Sequence, residues 1–225
     1  MKKRDGWGVA LALGSLCLLA VVSLCFRPAA RTSAPATAEE CRAAAEALGL
    51  PYVEDSALTL LLPEGLSLKR RQLRMDAPRA GKTVGYALEF AASQEGSACA
   101  AARVSVYAPD AKGGVAAFQG SHGNDTEEAL SSPFGEVRAL EACGAPDGFG
   151  GAVGASLLYS LRTEGGLFEV RFTMDGLYTA QVRADAAEQA LQILAVLAAQ
   201  SPESRGQNLS AAEKLCIMGR GLNRG

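Results

Sequence analysis

The stretch SLLYSLRTEGGLFEVRFTM, residues 156–174, decides how the chain is read. Its limbs, 156–162 and 167–174, flank Thr163-Glu164-Gly165-Gly166, a composition that reverses the chain between two strands. In the second limb Phe168, Val170, Phe172 and Met174 share one face and Glu169, Arg171 and Thr173 the other, the two-residue period of a half-buried strand. Downstream, Asp185 and Glu188 form a capping-box pattern, and Ala187, Ala190, Leu191, Leu194, Leu197 and Ala198 recur at helical spacing, which predicts a helix packed on the sheet. Upstream, FGEVRALEAC (134–143) has strand character and is joined to the hairpin by the Gly-rich APDGFGG.

Further towards the N-terminus four more strands are predicted: ALTLLL (57–62), LSLKRRQLRM (66–75), TVGYALEFAA (83–92) and CAAARVSVYA (99–108). Between the two groups lies an irregular insert, with a Gly-rich turn at Gly113, a short helix at 115–119 and the polar loop SHGNDTEE at 121–128. Ahead of the strands, Thr37 and Glu40 form a capping box, the Ala-rich stretch 38–48 favours helix, and Gly49 with Pro51 stops it. The expected fold is α+β, a mostly antiparallel sheet covered by N-terminal and C-terminal helices. LTLLLPEGLSL (58–68), together with the C-terminal hairpin and helix, resembles the PsbP/Mog1-like fold. That resemblance implies accessory and binding roles and assigns a function to no residue.

The chain has 225 residues, of which 48% are hydrophobic. Lys2, Lys3 and Arg4 precede Trp7 to Phe26, a run without a charged residue. About 20 residues at ~1.5 Å each cross the ~30 Å of a bilayer core, and that length exceeds an ordinary secretory core segment. The reading is therefore a basic cytoplasmic end (1–6), a transmembrane signal-anchor helix (7–26), an Ala/Pro-rich linker (27–37), an extracytoplasmic domain (38–200) and a flexible tail (201–225). This places the protein in the cell membrane with its main domain outside the cytoplasm, periplasmic in a Gram-negative cell. Removing residues 1–31 leaves 17 basic against 23 acidic side chains, an acidic outer domain for which nucleic acid is not an expected partner.

Signals for chemistry are sparse. The one histidine, His122, lies near Ser121 and Asp125 and carries the alternative reading of a cell-envelope hydrolase, but no nucleophile elbow accompanies it. Gly81-Lys82-Thr83 lacks the earlier glycine of a phosphate loop, GFGGAVG (148–154) lacks the third glycine of a dinucleotide fingerprint, and 121–128 lacks calcium-loop spacing, so no cofactor or metal is implied. Lys69, Arg70, Arg71, Arg74, Arg79 and Lys82 fall within fourteen residues opposed only by Asp76, a field suited to a protein or anionic envelope partner. Cys99 opens one strand and Cys143 closes another, so a Cys99–Cys143 disulfide around the insert is expected outside the cytoplasm. The leading functional reading is a membrane-anchored binding or scaffold domain without catalytic activity.

Overall fold

A computed structural model of the chain describes residues 33–76, 81–93, 98–121, 126–146, 148 and 151–201. Its elements in order are β1 (Ser33–Ala36), α1 (Ala38–Ala47), α2 (Asp55–Thr59), β2 (Leu66–Met75), β3 (Thr83–Ala92), β4 (Cys99–Tyr107), α3 (Val115–Ser121), β5 (Thr126–Ser132), β6 (Gly135–Pro146), β7 (Ala152–Thr163), β8 (Gly166–Tyr178) and α4 (Ala180–Ala199). The strands form one eight-stranded sheet in the order β1-β2-β3-β4-β8-β7-β6-β5, antiparallel throughout. It is two four-stranded meanders joined where the last strand of each, β4 and β8, pair.

This architecture corrects the expected fold class. Half of the described residues are strand and 27% helix, and the sheet is continuous from edge to edge. The linker reading of 27–37 gives way at Ser33–Ala36, which pairs with β2 as an edge strand. An edge position tolerates Pro35, whose missing N–H leaves no gap inside the sheet. The polar loop gives way at Thr126–Ser132, the opposite edge, where exposed residues need no apolar alternation. The predicted strand 57–62 is replaced by α2 and a turn. Strand alternation puts Leu58, Leu60 and Leu62 on one face, whereas Leu58 and Leu62 are buried at helical spacing, Leu62 N–H donates to the Leu58 carbonyl, and Leu60 is 86% exposed. The expected transmembrane helix at 7–26 lies outside the described residues, and among the described helices none is long and apolar enough to cross a membrane.

Other local signals are realised. Thr37 Oγ1 accepts from Glu40 N–H at 3.2 Å while Thr37 N–H donates to the Glu40 carboxylate at 2.7 Å, so two orphan donors at the start of α1 are satisfied reciprocally. At its other end Gly49 takes φ +65°, and Leu50 N–H returns to the Ala45 carbonyl. The predicted 156–174 hairpin is the centre of a longer one, β7–β8, turning at Glu164-Gly165. The closing helix begins earlier than Asp185: Thr179 is its N-cap and accepts from Val182 N–H at 3.4 Å.

One sheet face carries the main core. Tyr86, Leu88 and Phe90 of β3, Val104 and Val106 of β4, and Phe168, Val170 and Phe172 of β8 are buried there with Ile193, Leu194 and Leu197 of α4. Helices α1 and α2 cover β2–β3, and α4 covers β7–β8. The opposite face is covered differently. After β4 the chain must cross that face to reach β5 at the far edge, and α3 lies on the way, seating Phe118 on Leu140, Ala142 and Leu158. In the part of this face built from β2, β3, β4 and the outer half of β8, Gln72, Ala87, Ser105, Tyr107, Leu167 and Glu169 are buried, and the end at Lys69, Glu89, Ala101 and Arg103 is open.

Candidate functional site

On the open face the odd-numbered residues of β3, β4 and β8 point outward, and the register aligns Glu89, Arg103 and Arg171 in one row across the three strands. Arg70 of β2 stands opposite Glu89 and extends the row. Arg70 Nε donates to one carboxylate oxygen of Glu89, and Arg103 Nη2 forms an ion pair with the other. Burial acts to raise the Glu89 pKa, but the two guanidiniums outweigh it and hold the carboxyl below its ordinary value.

Arg171 differs from most other arginines of the domain. Arg42 pairs with Glu54, Arg71 with Asp55, Arg138 with Glu127, and Arg183 with both Glu128 and Glu141. Arg171 has no carboxylate partner among the described residues; its guanidinium lies 5.2 Å from the centroid of the Phe118 ring, and Nη2 reaches Ser156 Oγ at 3.5 Å. Directly opposite it, on the same face, stands Arg103. Burial first, and then the Arg103 charge, push the Arg171 pKa down. Like charges in this position destabilise a sheet.

Beside this pair lies a groove of about 360 Å³, lined by Lys69, Glu89, Arg103 and Arg171 over a floor that includes Ala91, Ala101 and Thr173. The small floor residues leave the space open between long cationic walls. Lys69 enters because a bulge between Leu68 and Arg70 shifts the register of β2.

One row further along, Glu169 is 3% exposed and accepts from the Gly114 N–H through both oxygens, at 2.8 and 2.9 Å. Burial raises its pKa in spite of that bond. Gly113 has φ +65°, and a Cβ there would lie 2.4 Å from Glu169 Oε1, so this approach requires glycine. Arg162 holds the neighbouring carbonyls of Pro109 and Ala111. Glu169 and Arg162 thus pin the segment that leads to α3, and Glu169 is already engaged rather than a counter-charge for the groove.

The basic run read from the sequence is divided by the pleat. Lys69 lines the groove and Arg70 pairs with Glu89 on the same face, while Arg71 turns to the other face, where it donates to Asp55 at 2.9 Å. Arg74 stacks 5.8 Å from the centroid of Tyr107, Lys82 is exposed just before β3, and Arg79 lies outside the described residues. His122 and Asp125 also lie outside them. Arg103 and Arg171 were each legible as the polar side of an alternating strand; their meeting depends on the β4–β8 pairing, for which no local signal exists.

The expected Cys99–Cys143 disulfide is corrected: both thiols are free. The register runs Cys99 to Met174, Met174 to Ala155 and Ala155 to Cys143, so the two sit in one line with β8 and β7 between them. Three strand spacings make about 14 Å, more than twice a disulfide's Cα separation. Burial pushes the Cys99 thiol up to about 11, and burial with the Glu141 carboxylate does the same for Cys143. Burial also raises the Cys41 thiol, so each of the three moves away from the thiolate needed of a nucleophile. Among the described residues no group of three or more His, Cys, Asp or Glu side chains is placed to hold a metal ion.

Compared with protein-family models, with curated proteins and with solved structures, the chain matches none of them. These comparisons do not test the resemblance of residues 58–68 to the PsbP/Mog1-like fold, and the strand it assumed at 58–62 is the helix α2 and a turn.

Proposed function

We propose that this chain is a non-catalytic binding domain, held at the outer side of a cell membrane through the apolar residues 7–26, and that it meets its partner on the open face formed by β2, β3, β4 and β8. One observation carries the reading: Lys69, Arg70, Arg103 and Arg171 converge there against a single groove carboxylate, Glu89, on a domain whose overall balance is acidic. The like-charged pair of Arg103 and Arg171 costs stability, and a partner that neutralises it compensates for the cost. The raised thiol pKa values support binding over cysteine chemistry.

The test is photo-crosslinking in cells. A crosslinking amino acid placed at Ala101 or Thr173 on the groove floor is expected to give a discrete adduct, and one placed at Glu188 on the far side of α4 is not. The adduct is expected to survive His122→Ala and to be lost with Arg103→Glu. Absence of any groove adduct, or equal adducts from Glu188, overturns the proposal. An activity abolished by His122→Ala in a protein of unchanged melting temperature establishes the hydrolase in its place.

A further inference from the structure

Resting on the binding role just proposed, the geometry points to a specific ligand chemistry: the space between Arg103 and Arg171 is an oxyanion site, taking a carboxylate or phosphate group of the ligand. The two guanidiniums face the same groove from directly paired positions on β4 and β8. Of the two carboxylates that stand nearest in the register, one already pairs with Arg103 and neither reaches Arg171. Both oxygens of Glu89 are taken by Arg70 and Arg103, and both oxygens of Glu169 accept from Gly114. A guanidinium carries five N–H donors in a planar fork, and the Arg171 fork uses one weakly, on Ser156. The guanidinium already lies against Phe118, 5.2 Å from the ring centroid, which limits the conformational entropy lost when an anion binds.

The surroundings fit a small oxyanion. Arg103 offers a second guanidinium, Lys69 a third cation at the rim, and Thr173 a hydroxyl on the floor, in a groove of about 360 Å³ that includes Ala91 and Ala101. That volume admits a compact acidic group with the first atoms of whatever carries it. A purely structural role for Arg171, packing on Phe118, accounts for the aromatic contact. It does not account for leaving the Arg171 fork without a carboxylate while Arg103, directly opposite, is held by Glu89.

The experiment uses the full chain in neutral detergent, titrated with sodium phosphate and separately with sodium acetate, with sodium chloride adjusted to hold ionic strength constant. The melting temperature is expected to rise and saturate with at least one of the two, and the tighter saturation identifies phosphate or carboxylate as the natural group. Arg171→Met, which keeps an apolar stem on Phe118, is expected to weaken the apparent affinity at least tenfold, as is Arg103→Gln. Arg171→Lys is expected to bind less tightly than wild type, because a point charge replaces the fork. Arg42→Gln, on the covered side, is expected to bind as wild type does. A response that never saturates, or one that survives both Arg171→Met and Arg103→Gln, overturns the oxyanion site. Groove crosslinks that persist without any anion response refute this inference alone, whereas loss of both refutes the binding role with it.

Discussion

Two tyrosines whose rings sit 5.6 Å apart give opposite predictions for the same substitution. Tyr86, 1% exposed on β3, donates its hydroxyl to the Pro51 carbonyl at 2.8 Å and accepts from Val53 N–H at 3.4 Å. It thereby ties the connector between α1 and α2 to the centre of the sheet, and burial drives its pKa far above the ordinary tyrosine value. Tyr52, on that connector, has a buried hydroxyl with no hydrogen-bond partner among the described residues. Tyr86→Phe leaves a buried carbonyl and a buried N–H unpaired. A net bond is worth about 0.5–1.5 kcal/mol and an orphaned buried group costs about 1–3 kcal/mol. The long Val53 bond adds little, so the shorter one sets the scale, and a loss of about 2 kcal/mol is expected, or roughly 4–8 °C in melting temperature for a domain of this size.

Tyr52→Phe removes an oxygen that was dehydrated without compensation, so it is expected to be neutral or to stabilise by up to about 1 kcal/mol. Urea denaturation followed by far-UV circular dichroism measures both. The denaturant slope should match wild type in each case, which ties the change to the native state. Equal costs for the two substitutions, or a Tyr86→Phe cost below about 0.5 kcal/mol, would refute the assignment of stability to this hydroxyl's bonds.

Two further predictions concern the open face. Glu169, raised above its ordinary 4.5 by burial, contributes stability that is fully present below the unfolded-state pKa and is lost as pH rises through the folded one. Glu89, held below 4.5 by Arg70 and Arg103, contributes stability present above the unfolded pKa and lost as pH falls through the folded one. Melting curves against pH should therefore flatten on the neutral side in Glu169→Gln and on the acid side in Glu89→Gln, and the same flattening in both variants contradicts the opposed shifts. Phe118→Ala empties the site where α3 meets Leu140, Ala142 and Leu158, and is expected to cost about 3 kcal/mol and to speed hydrogen exchange through 115–121 ahead of the sheet; exchange that stays at the wild-type rate means that another contact holds α3.

Elements that declare themselves locally were readable from the chain. The β7–β8 hairpin carries its turn and its alternation within one window, and α1 has both halves of its capping box three residues apart. The failures share a different cause. Ser33–Ala36 becomes a strand only because β2 offers an edge, and Thr126–Ser132 only because β6 does; neither segment has an apolar face of its own to announce it. At 57–62 every residue but Thr59 is apolar, so alternation and helical spacing are equally well matched until burial selects Leu58 and Leu62.

The same reasoning explains why the densest charge in the sequence is divided between the two faces of the sheet. Residues adjacent along a strand point to opposite faces, so the run from Lys69 to Arg74 is split at once: Arg71 is drawn to Asp55 on the helical side, and Arg74 stacks on Tyr107. A patch on a sheet is assembled across strands, one residue from each, and its members are far apart in the chain. Arg70, Glu89, Arg103 and Arg171 come from four strands, and each looks like the solvated side of its own strand. The decisive fact is that β4 and β8 are neighbours, a consequence of two meanders joining at their last strands. That join puts two arginines opposite each other, which local propensity would not select. A conflict of this kind, on a domain most of whose arginines find carboxylates, is where a binding requirement leaves its mark on a sequence that otherwise satisfies its fold.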